Sequence, residues 1–137
     1  MNLNPVESYP NLKVRSNAHP TDDQRRVNLL AGPPESRFLK SGFVKLSPGE
    51  SVGLHSTGGG EEIIIPISGE GEIRFPWAEP LRVSSGSMIY NPPETEHDVI
   101  NTGEGVLEYI YIVTKSQFPD PGLRRLFGTI GIGTYLN

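Results

Sequence analysis

Gly49-Glu-Ser-Val-Gly-Leu-His55-Ser-Thr57-Gly-Gly-Gly-Glu61-Glu62-Ile-Ile-Ile-Pro-Ile-Ser-Gly69 places polar chemistry at a chain reversal. His55 and Thr57 are two residues apart, so an extended chain sets them on one face. Three glycines then let the chain turn back tightly. Glu62 opens the next apolar run beside them. An imidazole, a hydroxyl and a carboxylate are thus directed toward one point. The run Ile63-Ile64-Ile65 is continuous rather than alternating, which predicts a strand covered on both faces.

The sequence on either side has the same texture. Apolar runs at Phe38–Leu46, Ser51–His55, Glu62–Ile67, Gly71–Phe75, Leu81–Val83, Ser87–Asn91, His97–Asn101 and Val106–Thr114 give eight strand candidates. Turn signals such as Ser47-Pro48-Gly49, Ser84-Ser85-Gly86 and Pro92-Pro93 separate them, and no helical period competes. Short strands at this even spacing predict an all-β sandwich or barrel. The 16 glycines and 13 prolines are spread among these runs, as many tight turns require. A chain of 137 residues is one domain's worth and buries roughly two-thirds of its unfolded surface, enough for its own core.

The flanks differ. Residues 1–36 read as a polar arm whose one apolar patch, Val27–Ala31, has room for one short strand. Residues 37–115 form the barrel. Residues 116–137 carry Leu123, Leu126, Phe127, Ile130 and Ile132, an apolar tail expected to pack on the barrel or on a dimer partner. Both flanks need cover that a closed barrel of this size does not offer inside itself, which predicts a homodimer with exchanged arms.

Composition excludes several classes. There is no cysteine, so disulfides, thiolate metal sites and cysteine nucleophiles are absent. The net charge is −4 and no Lys/Arg run exceeds two, which argues against a nucleic-acid partner. No apolar run is long enough to span a bilayer, and no membrane partner is expected. The first residues lack an apolar signal core, so a cytoplasmic location is the expectation.

A second stretch, Gly86-Ser-Met-Ile-Tyr90-Asn-Pro92-Pro-Glu94-Thr-Glu96-His97-Asp-Val-Ile-Asn101, brings another imidazole to the start of a strand. Together the two stretches resemble the paired motifs of the cupins. The first cupin motif reads Gly, five residues, His-x-His, three or four residues, Glu, six residues, Gly; Gly49, His55, Thr57, Glu62 and Gly69 keep that spacing. The second reads Gly, five residues, Pro-x-Gly, two residues, His, three residues, Asn; Gly86, Pro92, Glu94, His97 and Asn101 keep it too. Two identities depart: Thr57 replaces a histidine and Glu94 a glycine. The resemblance spans about residues 43–114 and includes a subgroup of small cupins with His-Ser-Thr-Gly followed by Glu-Glu.

That resemblance implies a double-stranded β-helix, a jelly-roll-like antiparallel barrel. It implies one divalent metal ion (Zn, Ni, Fe or Mn) on His55, Glu62 and His97. Two histidines and one carboxylate form a recognised set that leaves positions open for water or substrate. Thr57 is a poor ligand for such ions and is expected beside the metal, bonding a bound water or steadying Glu62. If the three residues were relics, two imidazoles and a carboxylate would face an apolar barrel unpaired, at a high desolvation cost.

Tyr90, Tyr109 and Tyr111 are further candidates to line the cavity, although core packing is the simpler role for each. Phe43 and Phe75 read as core, Glu61 as a solvated carboxylate, His19 as exposed, and Trp77 as a loop residue. The fold hosts many chemistries, so function must come from the site. The first expectation is a metal-dependent enzyme acting on a small organic acid or sugar-like molecule in the barrel. The second is a non-catalytic cupin that binds a small ligand or metal. A third, a structural or interaction module, leaves His55, Glu62 and His97 unexplained.

Overall fold

The computed structural model describes residues 19–114. The parts of the expected arm and tail at residues 1–18 and 116–137 lie outside them. Eight strands follow in chain order: β1 (Arg26–Leu30), β2 (Leu39–Leu46), β3 (Glu62–Ser68), β4 (Glu70–Phe75), β5 (Ala78–Ser84), β6 (Ile89–Asn91), β7 (Asp98–Ile100) and β8 (Leu107–Thr114). They form a five-stranded sheet, ordered β1-β2-β8-β3-β6, and a three-stranded sheet, ordered β5-β4-β7. Every pairing is antiparallel. No helix among the described residues is long and apolar enough to cross a membrane, which says nothing of membrane-spanning strands.

The sheets close on a core with Val44, Leu46, Ile64, Leu107 and Tyr109 from the larger and Ile73, Val83 and Val99 from the smaller. Alternation along β3 turns Ile64 inward and leaves Ile65 36% exposed on the outer side. The unbroken isoleucine run therefore gives β3 an apolar outer face as well as an inner one, and the described residues leave that outer face partly open. Phe75 packs against the core as expected. Phe43 is buried on the outer side, its ring 5.1 Å from that of His19. His19 is half-exposed there and also pairs with Glu108. Trp77 sits in the β4–β5 turn, 69% exposed, with its ring 5.3 Å from Phe75.

The one short strand for which the arm had room is β1, which pairs with β2 at the edge of the larger sheet. One departure from the sequence reading bears on the site. Ser51–His55 is not a strand; it touches the smaller sheet at two isolated bridges, Ser51 to Ile100 and His55 to His97. The cause lies at Gly53, whose φ of +97° interrupts the extended run. Its N–H turns to the Asp98 carboxylate instead, at 3.0 Å.

The motif glycines have a common backbone cause. Gly49, Gly69 and Gly86 all have φ between +83° and +95°, where side chains are disfavoured. At Gly69 a Cβ would also stand 2.2 Å from the Val106 carbonyl oxygen. The fourth such motif position holds Glu94, which takes φ 58° with its N–H on the Gly58 carbonyl at 2.7 Å.

Candidate metal centre

Three separate elements deliver the donors. Glu62 is the first residue of β3 and lies opposite Asn91 on one side and Val113 on the other. His97 immediately precedes β7. His55 reaches the same place through its bridge: His55 N–H donates to His97 C=O at 3.0 Å, and His97 N–H to His55 C=O at 2.8 Å. That reciprocal pair fixes the two imidazoles side by side, with ring centroids 4.5 Å apart.

Both rings are oriented by backbone carbonyls. His55 Nδ1 lies 2.8 Å from the Gly53 carbonyl oxygen and His97 Nδ1 lies 2.9 Å from that of Thr95. A carbonyl only accepts, so each Nδ1 carries the proton and each Nε2 is turned toward the site. Metal-bound histidines are commonly held in this way. The ligand atoms of His55, Glu62 and His97 lie within 4.8 Å of one another. One ion with bonds of about 2.0–2.2 Å spans slightly less, so a small side-chain shift gathers all three. The residues present fit a divalent ion: two neutral nitrogen donors with fixed tautomers, and one carboxylate.

Burial sharpens the case. His97 is fully buried and Glu62 is 6% exposed. Glu62 Oε1 accepts from Asn91 Nδ2 at 3.1 Å and lies 2.8 Å from His97 Nε2. Burial by itself lowers the His97 pKa. The Glu62 hydrogen bond, the Thr95 carbonyl and the charges of Glu62 and Asp98 outweigh it and raise the pKa above the usual histidine value. Glu62 Oε1 and His97 Nε2 face each other across 2.8 Å at the point where an ion would sit.

A cavity of about 340 Å³ adjoins the donors, with His55, Thr57, Glu62, Tyr111 and Val113 in its wall. His55 is exposed on this side. Thr57 faces the cavity, while its hydroxyl donates to the Gly60 carbonyl at 2.9 Å and closes the glycine turn. Tyr111 lines the cavity. Tyr109 is buried in the core, and burial together with the Glu62 charge raises its phenol pKa.

Tyr90 does not line the cavity. It lies opposite Ile63 on the outer side, where its hydroxyl donates to Glu61 at 2.9 Å. Partial desolvation and that bond push its pKa up to about 12. Glu61 is thus exposed but bonded. Sequence reasoning missed Asn91, which steadies Glu62; its only signal was its place just before Pro92. It also missed Arg26, Asn28 and Lys40, which line the cavity from β1 and β2.

Comparison with known proteins agrees with this architecture. The structure resembles a conserved protein with a double-stranded β-helix domain from Klebsiella pneumoniae, with a TM-score of 0.60 at 20% identity over 82% of this chain and 88% of that one. It also resembles a Cupin 2 conserved barrel domain protein from Salinispora arenicola, with a TM-score of 0.59 at 23% identity over 86% and 97% of the two chains. A Thermus thermophilus protein aligns with a TM-score of 0.62 at 15% identity over 77% and 97%. No curated protein matches the chain. At these identities the structures speak for the fold alone. The cupin-domain family profile matches residues 42–113, more than half of the sequence and both motif stretches. The chain belongs to the cupin family.

Proposed function

We propose that the chain is a metal-dependent cupin that holds one divalent ion, of the zinc, nickel, iron or manganese type, on His55, Glu62 and His97. It acts on a small organic acid or sugar-like molecule in the adjoining cavity. The observation that carries this reading is the meeting of three ligand atoms within 4.8 Å, two of the residues buried and the third open to the cavity. A divalent ion there would supply Lewis acidity toward a carbonyl or carboxylate oxygen, or activate water or O2. The protein's own part is positional. The Gly53 and Thr95 carbonyls fix the two imidazoles, Asn91 steadies the carboxylate, and Tyr111 and Val113 wall the space.

The alternative is a cupin that binds its ligand without turning it over. One observation favours it: no carboxylate or imidazole outside the three donors lines the cavity among the described residues. We also propose that the protein is a homodimer. The outer face of the larger sheet supports this, because Ile63 and Ile65 on β3 oppose Ile112 and Ile110 on β8 there, and Ile67 is 43% exposed.

Metal analysis of the purified protein tests the main reading. After dialysis against zinc, nickel, iron(II) or manganese, the wild type should retain about one equivalent of at least one ion, and His97→Ala and His55→Ala should lose it. A wild type that retains none of the four overturns the metal site.

A further inference from the structure

We propose that the cavity selects a small anion, holding its carboxylate or phosphate group on Arg26 and Lys40 while the rest of the molecule reaches the His55 and Glu62 end. This deepens the reading of the same site, but the anion-binding end has observations of its own.

Strand register puts both cations on the inner face. Arg26 lies opposite Val44, a core residue, and directly opposed residues share a face. Lys40 lies opposite Val113, which in turn lies opposite Glu62, so the three form one row across β2, β8 and β3. Two strand spacings separate Lys40 from Glu62, roughly 10 Å between backbones. That gap suits a small molecule held at both ends.

The arginine is seated rather than loose. Its guanidinium carbon lies 5.0 Å from the centroid of the Tyr111 ring. The ring in turn lies against Gly42, where a Cβ would stand 2.5 Å from Tyr111 Cε2. The missing side chain at Gly42 makes room for the ring, and the ring supports the cation. A guanidinium resting on an aromatic face keeps its N–H edge for an oxyanion. The Lys40 stem runs beside Gly32, where a Cβ would come within 3.1 Å of Lys40 Cγ.

Charge points the same way. Arg25, Lys45, Arg74 and Arg82 each meet a carboxylate. Arg26, Arg37 and Lys40 have no carboxylate partner among the described residues, and of these Arg26 and Lys40 line the cavity. In a chain of net charge −4, this cavity sets two cations against the single carboxylate of Glu62, before any metal is added. A volume of about 340 Å³ restricts the occupant to a small molecule.

Titration calorimetry with succinate, inorganic phosphate and the neutral succinamide tests the proposal. It is run on metal-free and zinc-loaded wild type, Arg26→Met and Lys40→Met. Both residues are exposed at the cavity mouth, so the variants should melt as the wild type does. At least one anion should bind about tenfold more tightly than succinamide, and each variant should lose about tenfold in anion affinity while zinc affinity stays within about twofold. Whichever of succinate and phosphate binds more tightly assigns the anion as carboxylate or phosphate. Anions that bind the wild type no better than succinamide, or that bind both variants as tightly as they bind the wild type, overturn the proposal. Failure of zinc to bind the wild type counts against the metal site alone, because the metal-free arm still reads the anion end.

Discussion

Replacing Glu62 by glutamine keeps the side chain's shape and removes its charge at a buried point. Both of its contacts fall on one atom: Asn91 Nδ2 at 3.1 Å and His97 Nε2 at 2.8 Å, each to Oε1. In the amide that atom is either an oxygen or an NH2 group. As oxygen it still accepts from Asn91, but the contact with His97 survives only if His97 is a buried cation with no counter-charge. As NH2 it donates to neutral His97 and faces Asn91 donor against donor. One hydrogen bond fails either way, which costs about 1–3 kcal/mol at a buried site. With a urea slope of about 1.5 kcal/mol per molar, the unfolding midpoint of the metal-free protein falls by roughly 0.7–2 M.

The same variant has a pH signature. The folded metal-free protein raises the His97 pKa, so it holds that proton more tightly than the unfolded chain does. The resulting stabilisation is fully present below the unfolded value of about 6.5 and is lost as pH rises through the raised folded value. Metal-free wild type should therefore lose urea stability as pH climbs above about 6.5, and Glu62→Gln should lose most of that dependence. Urea unfolding followed by far-ultraviolet circular dichroism, in excess chelator at several pH values, measures both effects. An unchanged midpoint together with an unchanged pH slope would refute the coupling of His97 to Glu62.

Other outcomes follow from the same geometry. Thr57→His adds an imidazole at the cavity wall and should tighten metal binding, read by competition with a chromogenic chelator; unchanged or weaker affinity counts against Thr57 as the missing ligand position. Asn101→Ala removes donations to the Leu46 and Gly105 carbonyls, both 2.8 Å, and acceptance from Gly103 N–H at 2.9 Å, and should cost at least about 2 kcal/mol by urea unfolding. Sedimentation equilibrium at low micromolar protein should give twice the 15.0 kDa of one chain, with Ile65→Lys shifting it toward monomer; a wild-type mass near 15.0 kDa refutes the dimer.

The three candidate donors were legible through the resemblance to the cupin motifs, whose spacing is tied to backbone requirements. Gly49, Gly69 and Gly86 mark places where the chain needs positive φ, so the residues between them keep fixed register. What lay hidden depends on pairing between distant strands. Asn91 matters because β6 sets it opposite Glu62, a relation no local pattern carries. The parity of that short strand was also ambiguous. Met88 and Tyr90 alternate with Ile89 and Asn91, and either set serves as an inner face; the inward choice of Asn91 sent Tyr90 outward to Glu61. Arg26 and Asn28 line the cavity because β1 pairs with β2, and that pairing became visible only with the edge of the sheet.

The two departures from the motifs differ in kind, and that difference bears on the site. At Glu94 the backbone still adopts the left-handed conformation that a glycine would take freely, so the turn survives at some strain and His97 remains in place. The substitution changes the energy of a loop and leaves the donors alone. At Thr57 the replaced group would itself have been a donor. The threonine is not idle, since its hydroxyl and the Gly60 N–H close the turn from both sides, at 2.9 and 3.2 Å. That turn carries the chain from His55 back to Glu62 and holds those two donors together. The side chain thus serves the geometry of the site in place of its coordination. A centre with three protein donors would have more positions open to a ligand than one with four, which suits a cavity also lined by Arg26 and Lys40.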